Sequence, residues 1–513
     1  MAINRMTTIF RRSGWLAATL VAFLSTSTVN ADVKLPNVFG DHMVLQQGQK
    51  NKVWGVAEAG EAITVSINGQ SQKATAAADG NWSVMLEPLA VGGPFELSVK
   101  GKNEVKFTDV LVGEVWVCSG QSNMQQSVNA SNDADIERLA AKFPMIRMIN
   151  FPQFGSQEAK WSHDDRKWMV CSPETTGNFS AVGYFFARQL HQTLGVPVGM
   201  VNNAWGGSAC EAWIRRDLLN ADPLYKPMMD NWSQMEATFA DLAGKEKDLT
   251  DEQKKQLQGL RGAMGGNHRP ANIYNGVLKS HLGYGIKGAI WYQGESNAGR
   301  AYQYRDLFPL MIKSWRDEWG QGDFPFYWVQ LADFMQEKPE PSDSSWAELR
   351  EAQTMTMSRL PKTGQAVIID IGEDKDIHPK NKVDVGRRLA RWALAKDYGV
   401  NVPFHSPQYK SMAKQDNKIV LTFEHLDGGW RPFDVNDPRG FSIAGDDKKF
   451  VWAKAKVLPD GTVEVSSDQV ASPASVRYGW ADNPVVNMFN GAGLPLTPFR
   501  TDDWPGVTIN NTK

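Results

Sequence analysis

From residue 35 to about residue 107 apolar and polar residues alternate: Ile63, Val65 and Ile67 lead up to Asn68-Gly69, and Trp82, Val84 and Leu86 follow Asp79-Gly80. A period of two is that of a half-buried strand, and Asn-Gly and Asp-Gly supply the positive φ of tight hairpin turns. The pattern predicts a small antiparallel β domain over 32–108. Beyond Val110 the texture changes. Apolar runs at 110–118, 198–202, 286–292, 326–331 and 366–370 end in Gly- and Ser-rich turns and alternate with helical stretches at 181–194, 346–359 and 382–397. Strands buried on both faces and linked by helices make a parallel sheet, so 109–400 reads as one α/β domain. Within it, a polar Lys/Glu/Gln-rich stretch at about 217–265, with a capping-box pattern at Thr250 and Gln253, reads as a helical insertion. Alternation returns at Ile419, Leu421 and Phe423, at Val463 and Val465 after Asp460-Gly461, and at Val476, Tyr478 and Trp480, which predicts a second β domain over 401–513.

A chain of 513 residues is too long for one core and agrees with several domains. Its first 31 residues read as an export signal. Arg5, Arg11 and Arg12 give a positive start, 16–24 is apolar but too short to span a bilayer, and Val29-Asn30-Ala31 offers a small-residue cleavage site. The adjacent Arg11-Arg12 hints at twin-arginine export, yet its flanks are generic and ordinary secretion fits better. A periplasmic or secreted protein with no membrane attachment after cleavage is expected. With 55 basic against 57 acidic residues the chain has no electrostatic footprint for nucleic acid. Three cysteines, Cys118, Cys171 and Cys210, allow at most one disulfide. They form no C-x-x-C, and the eight His form no H-E-x-x-H, so neither a metal nor another cofactor is expected. The 19 Trp suit either large cores or sugar-stacking platforms.

The chemistry gathers at the ends of the apolar runs. Ligands of open α/β sheets sit outside the carboxyl ends of the strands, where a Ser on the following turn can present its hydroxyl. Cys118-Ser119-Gly120-Gln121-Ser122-Asn123-Met124 makes Ser122 the candidate nucleophile, although Ser is also a common helix N-cap. His378, on a loop between the 366–370 run and the 382–397 helix, is the candidate base, and Asp376 two residues before it is an acid able to orient the imidazole. Donors for an oxyanion stand at two further strand ends. They are Trp205-Gly206-Gly207-Ser208, whose glycines admit close backbone approach, and Trp291-Tyr292-Gln293-Gly294-Glu295-Ser296-Asn297, with Gln293 or Asn297 as amide donor.

With these blocks the sequence resembles the sialate O-acetylesterase group of SGNH-type hydrolases, which includes bacterial carbohydrate acetylesterases. The resemblance covers nearly all the chain after the export segment. It rests on the run from Gly113 through Cys118 to Met124, on Trp205-Gly206-Gly207-Ser208 with Glu211-Ala212-Trp213, and on the run from Trp291 to Asn297. It continues in the run from Arg269 to Gly276, in Asp376-Ile377-His378-Pro379, and in Pro498-Phe499-Arg500-Thr501-Asp502-Asp503-Trp504. It implies an SGNH/flavodoxin-like three-layer hydrolase domain flanked by two β-sandwich-like domains. It further implies Ser122 as nucleophile, His378 as base, and an oxyanion hole from the Ser122 amide, the amide of Gly207 or its neighbour Gly206, and Gln293. Two departures from the wider pattern stand out. The third block lacks Gly-x-Asn-Asp, and Lys375 stands three residues before His378 where an Asp is usual. Asp376 is therefore the chosen acid, with Asp374, Glu295 or a Ser-His dyad as alternatives.

The expected function is a secreted serine esterase that removes O-acetyl groups from carbohydrates through an acyl-enzyme. The rivals are a non-catalytic carbohydrate-binding protein and a lipase- or peptidase-type hydrolase, the latter disfavoured because no Gly-x-Ser-x-Gly surrounds Ser122. Sialic acid and acetylated xyloglucan, xylan or pectin all stay open as substrates. A sialic acid carboxylate would call for an Arg, and Arg269 or Arg300 could serve.

Overall fold

The computed structural model of the protein describes Met1 and residues 32–513, and the expected export segment lies outside the described residues. Six strands are central: β1 (Glu104–Gly120), β2 (Ile146–Asn150), β3 (Val198–Asn202), β4 (Gly288–Tyr292), β5 (Phe326–Val329) and β6 (Thr363–Ala366). They lie in the order β6-β5-β4-β1-β3-β2 and are parallel throughout, with Trp168–Val170 added antiparallel at the β2 edge. Four helices flank the sheet: α1 (Ala181–Leu194), α2 (Ala301–Trp319), α3 (Ser345–Arg359) and α4 (Lys382–Asp397).

Successive side chains of a strand leave on opposite faces, and β1 shows what each face meets. Val115 and Val117 enter one core with Leu307 and Phe308 of α2 and Leu349 of α3. Trp116 and Cys118 enter another with Phe186 and Leu190 of α1 and Leu389 and Trp392 of α4. Helices therefore cover both faces, which is why these strands read as unbroken apolar runs.

The first half of β1 pairs antiparallel with Gly92–Lys100, and its second half lies between β3 and β4. The position expected to separate the first two domains falls inside this strand. There Asp109 adopts φ +52° and its carboxylate takes Arg147 Nη1 and His42 Nδ1, each at 2.7 Å.

Asn68-Gly69 joins Ala62–Ile67 and Gln70–Thr75 as a hairpin, and Asp460-Gly461 does the same for Lys454–Val457 and Val463–Ser466. Asp79-Gly80 turns the chain without making a hairpin, because Asn81–Leu86 pairs with Asn51–Val56 instead of the strand before it. The expected strand at 366–370 is displaced as well: β6 ends at Ala366. Arg388 of α4 takes the Val367 carbonyl at 2.7 Å and both oxygens of Asp370, which holds 367–370 out of the ladder while the apolar Val367, Ile368 and Ile369 stay buried.

Past the sheet, two four-stranded antiparallel sheets enclose one core with Leu421, Ile443, Val465 and Tyr478. They are fastened to the central region by Arg350, fully buried, whose guanidinium donates to the carbonyls of Ala481 and Asp482. In the polar stretch, Lys226–Gly244 and Asp251–Met264 are helical, and the Thr250–Gln253 capping box forms as expected. The tryptophans are largely structural. Trp116, Trp168, Trp213, Trp291, Trp315 and Trp328 are fully buried, and Trp291 meets Trp213 and Trp315 edge-to-face at 5.5 and 5.8 Å. The three cysteines are buried free thiols, and burial pushes the Cys118 thiol far above its usual range, as befits a packing residue.

Candidate active site

The site begins with a glycine. Gly120 ends β1 at φ +128°, and a Cβ there would lie 2.2 Å from the Tyr292 carbonyl, so only glycine lets β1 turn off against β4 at this point. The turn delivers Ser122 as the first residue of the short helix Ser122–Gln125. Gln121, not Ser122, occupies the N-cap position, and no side chain caps this helix, so Ser122 does not serve as its cap. The Ser122 N–H has no acceptor among the described residues, which leaves it free at the helix start.

His378 stands on the loop that leads from β6 into α4, whose first turn is capped by Asn381 Oδ1 accepting the Asp384 N–H at 3.2 Å. Its Nδ1 lies 3.3 Å from Asp376 Oδ1, and that same oxygen accepts the His378 backbone N–H at 2.9 Å. The backbone N–H is the main reason the Asp376 carboxyl is held below its ordinary range. Both side chains are about two-fifths exposed, 36% for His378 and 41% for Asp376, so solvent screens their attraction. Ser122 and His378 line one cleft of about 690 Å³, together with Gln125, Asn150, Asn178 and Arg166. No direct hydrogen bond joins Ser122 to the imidazole among the described residues, a contact that in hydrolases often closes only when substrate binds.

Of the groups expected to serve an oxyanion, one glycine packs on Ser122 and the Gln293 amide points elsewhere. Gly206 is the glycine packed on Ser122: a methyl built on it would lie 3.4 Å from Ser122 Cβ, whereas one on Gly207 would meet Asn267. The Gly206 N–H donates to Gln125 Oε1 at 2.7 Å, so an oxyanion reaches this donor only after Gln125 moves aside. Gln293 is turned away from Ser122. Its amide hydrogens go to the Ser208 carbonyl at 3.0 Å and Asn297 Oδ1 at 2.7 Å, and its carbonyl accepts the Tyr304 hydroxyl at 2.8 Å. Buried and with both amide hydrogens engaged, it braces the β4 turn against α2 and has no proton left for an oxyanion. Asn297 is likewise engaged, donating to Glu211 Oε2 at 2.9 Å.

Of the alternative acids, Glu295 bonds Asn123 Nδ2 at 2.7 Å and not His378, while Asp374 is exposed on the loop. Neither expected arginine lines the cleft: Arg269 pairs with Glu236 at 2.8 Å and Arg300 with Glu211. Arg166 does line it, from an irregular segment that carries no pattern to reveal it. Gln125 was open to discovery, lying three residues past Ser122 and directly after the block that ends at Met124.

Comparison with known proteins identifies the family. The profile of the family described as carbohydrate esterase, sialic acid-specific acetylesterase matches residues 112–244 and 265–395. The residues between the two spans include the helix Asp251–Met264. The sialate O-acetylesterase of Mus musculus is 30% identical, the match covering 90% of this chain and 92% of that protein. That of Homo sapiens is 28% identical over 94% and 95%. The crystal structure of a carbohydrate acetylesterase from Xanthomonas citri superposes with a TM-score of 0.79 at 38% identity, covering 92% of this chain and all of that one. With a family match over half its length and a relative alike over nine-tenths of it, the chain belongs to the sialate O-acetylesterase family of carbohydrate esterases, hydrolases of O-acetyl esters on sugars.

Proposed function

We propose that the protein is an exported serine esterase of SGNH type that removes O-acetyl groups from carbohydrates. One observation carries the reading: Ser122, on a free helix-start N–H, and His378, with a carboxylate at its Nδ1, open onto the same amide-rich cleft. In this reading His378 takes the Ser122 proton as Oγ attacks the acetyl carbonyl and returns it to the departing sugar hydroxyl, and water then releases acetate by the same route. The negative charge on the tetrahedral oxygen falls to the Ser122 N–H and, once Gln125 swings out, the Gly206 N–H. The central sheet with helices on both faces serves as a three-layer hydrolase domain, and the β regions before and after it as sandwich-like flanks. Export rests on the amino-terminal segment. No helix among the described residues is long and apolar enough to cross a membrane.

The substrate reading is tested by acyl-chain preference and acetate release. p-Nitrophenyl acetate should be cleaved at least about a hundredfold faster in kcat/KM than the dodecanoate, since the cleft is lined mainly by amides and hydroxyls and offers a long alkyl chain little apolar surface to bury. Acetate should be freed from at least one of acetylated sialic acid, xyloglucan, xylan or pectin fragments. Faster turnover of the long-chain ester, or no acetate from any glycan, would reject the carbohydrate reading.

Asp376→Asn should lower kcat by only about tenfold, with KM little changed. A buried triad acid can be worth about ten-thousandfold, but this carboxylate is half-exposed and 3.3 Å away. A loss of a thousandfold or more in a normally folded variant would show that the loop closes over this pair during turnover.

A further inference from the structure

Directly under the Ser122–His378 pair lies a chain of buried polar groups that the mechanism above does not use. Asn123, next to the nucleophile and only 1% exposed, has both amide hydrogens and its carbonyl oxygen engaged. Nδ2 donates to Glu295 Oε1 at 2.7 Å and to the carbonyl of Ile377, the residue before His378, at 2.9 Å. Oδ1 accepts Lys382 Nζ at 2.6 Å. Three elements thus meet on one side chain: the nucleophile turn, the loop that carries the base, and the start of α4. A fourth, the turn after β4, joins through Glu295.

Lys382 is fully buried, with its ammonium 5.2 Å from the centre of the Tyr292 ring. Burial pushes it down to about 7, against the pull of Glu295, Asp376 and Glu373. Glu295 is pushed the opposite way by burial, eased by the Asn123 hydrogen bond and by the charges of Lys382 and His378, and its Oε2 is buried without a partner among the described residues. A buried lysine and a half-satisfied buried carboxylate both cost stability, and apolar residues would fill the space more favourably. Such costly groups persist where they serve the site.

We propose that Asn123, Lys382 and Glu295 form a positioning assembly: Lys382 locks the Asn123 amide, Asn123 holds the base loop in register with Ser122 through the Ile377 carbonyl, and Glu295 supplies a buried negative charge that steadies the imidazolium. The assembly rests on the serine-esterase reading and acts through His378 without touching substrate. Asp376 orients the ring from the solvent side, and Glu295 sets the field from beneath.

The test uses the full chain, p-nitrophenyl acetate and a fluorophosphonate that labels an activated serine. Labelling of wild type at Ser122 checks the parent reading independently: if it is not labelled there, that reading fails before the assembly is addressed. Lys382→Met should lower kcat by roughly ten- to a hundredfold with KM within about twofold, because a displacement near 1 Å is worth up to about a hundredfold. The labelling rate constant should fall in step. Lys382→Gln, which can still donate to Asn123 Oδ1, should recover most of the loss. Glu295→Gln preserves shape and removes the negative charge, so it should lower kcat and move the acidic limb of the kcat/KM profile to lower pH, since the imidazolium loses support. The proposal is overturned if Lys382→Met and Lys382→Gln label at the wild-type rate per folded molecule. It is also overturned if both lose activity equally, or if Glu295→Gln leaves the acidic limb unmoved.

Discussion

Ser122→Ala is expected to abolish acetyl-ester turnover to within a small residue, with kcat down by at least about ten-thousandfold and the fold intact. Removing the nucleophile of an acyl-enzyme mechanism leaves only the oxyanion donors and binding, which by themselves give roughly a thousand- to ten-thousandfold over water. The side chain is partly exposed, fills no core, and caps no helix, since Gln121 holds the N-cap position. Thermal unfolding should therefore shift little, in keeping with a substitution away from packing and buried hydrogen bonds. The measurement is kcat on p-nitrophenyl acetate beside a melting curve. Retention of more than a tenth of wild-type kcat would take Ser122 out of the role, whatever the family resemblance implies.

The α/β character of the chain was legible because burial on both faces leaves a mark that period-two alternation does not. Val198–Asn202 and the helices Ala181–Leu194 and Lys382–Asp397 occupy the expected residues. One end of each helix has a plain local cause: Gly195 at φ +69° follows Leu194, and Asn381 caps the start at Lys382. The displaced run at 366–370 shows where pattern fails. Thr363-Gly364-Gln365-Ala366 is weakly apolar yet makes the ladder to β5, while the strongly apolar Val367-Ile368-Ile369 is buried outside it. Burial alone makes both stretches plausible, and the deciding contact, Arg388 on the Val367 carbonyl and Asp370, comes from a distant helix.

The site divides along the same line. Ser122, His378 and Asp376, the proposed catalytic groups, were legible as candidates because each sits at a strand end or on the loop after one, where topology fixes the neighbourhood. Gln293 shares that kind of position, but which way its amide points depends on Tyr304, Asn297 and Ser208, and no spacing encodes that. Lys382 was invisible for a different reason. A lysine at a helix start reads as solvated, and only the closing of three other segments over it creates the buried contact to Asn123.

His378→Ala should match Ser122→Ala, and the double variant should be little worse than either alone. The imidazole has one task in each half-reaction, taking a proton from Ser122 or water and giving one to the leaving group, so without the serine it has no acyl-enzyme to make or resolve. Losses within such a unit do not multiply. If the two single losses did multiply, His378 would be acting on substrate independently of Ser122, and the shared cleft would be coincidence. Folding does not confuse the result, because His378 is partly exposed on a loop whose anchors survive its removal. The Ile377 carbonyl still takes Asn123, and Asn381 still caps α4. Those anchors also make rescue a sharp check: added imidazole should restore part of the activity of His378→Ala, since the open cleft can admit it to the vacated place, and none of the activity of Ser122→Ala. Equal rescue of both, or of neither, would show that the histidine is not the proton carrier for Ser122.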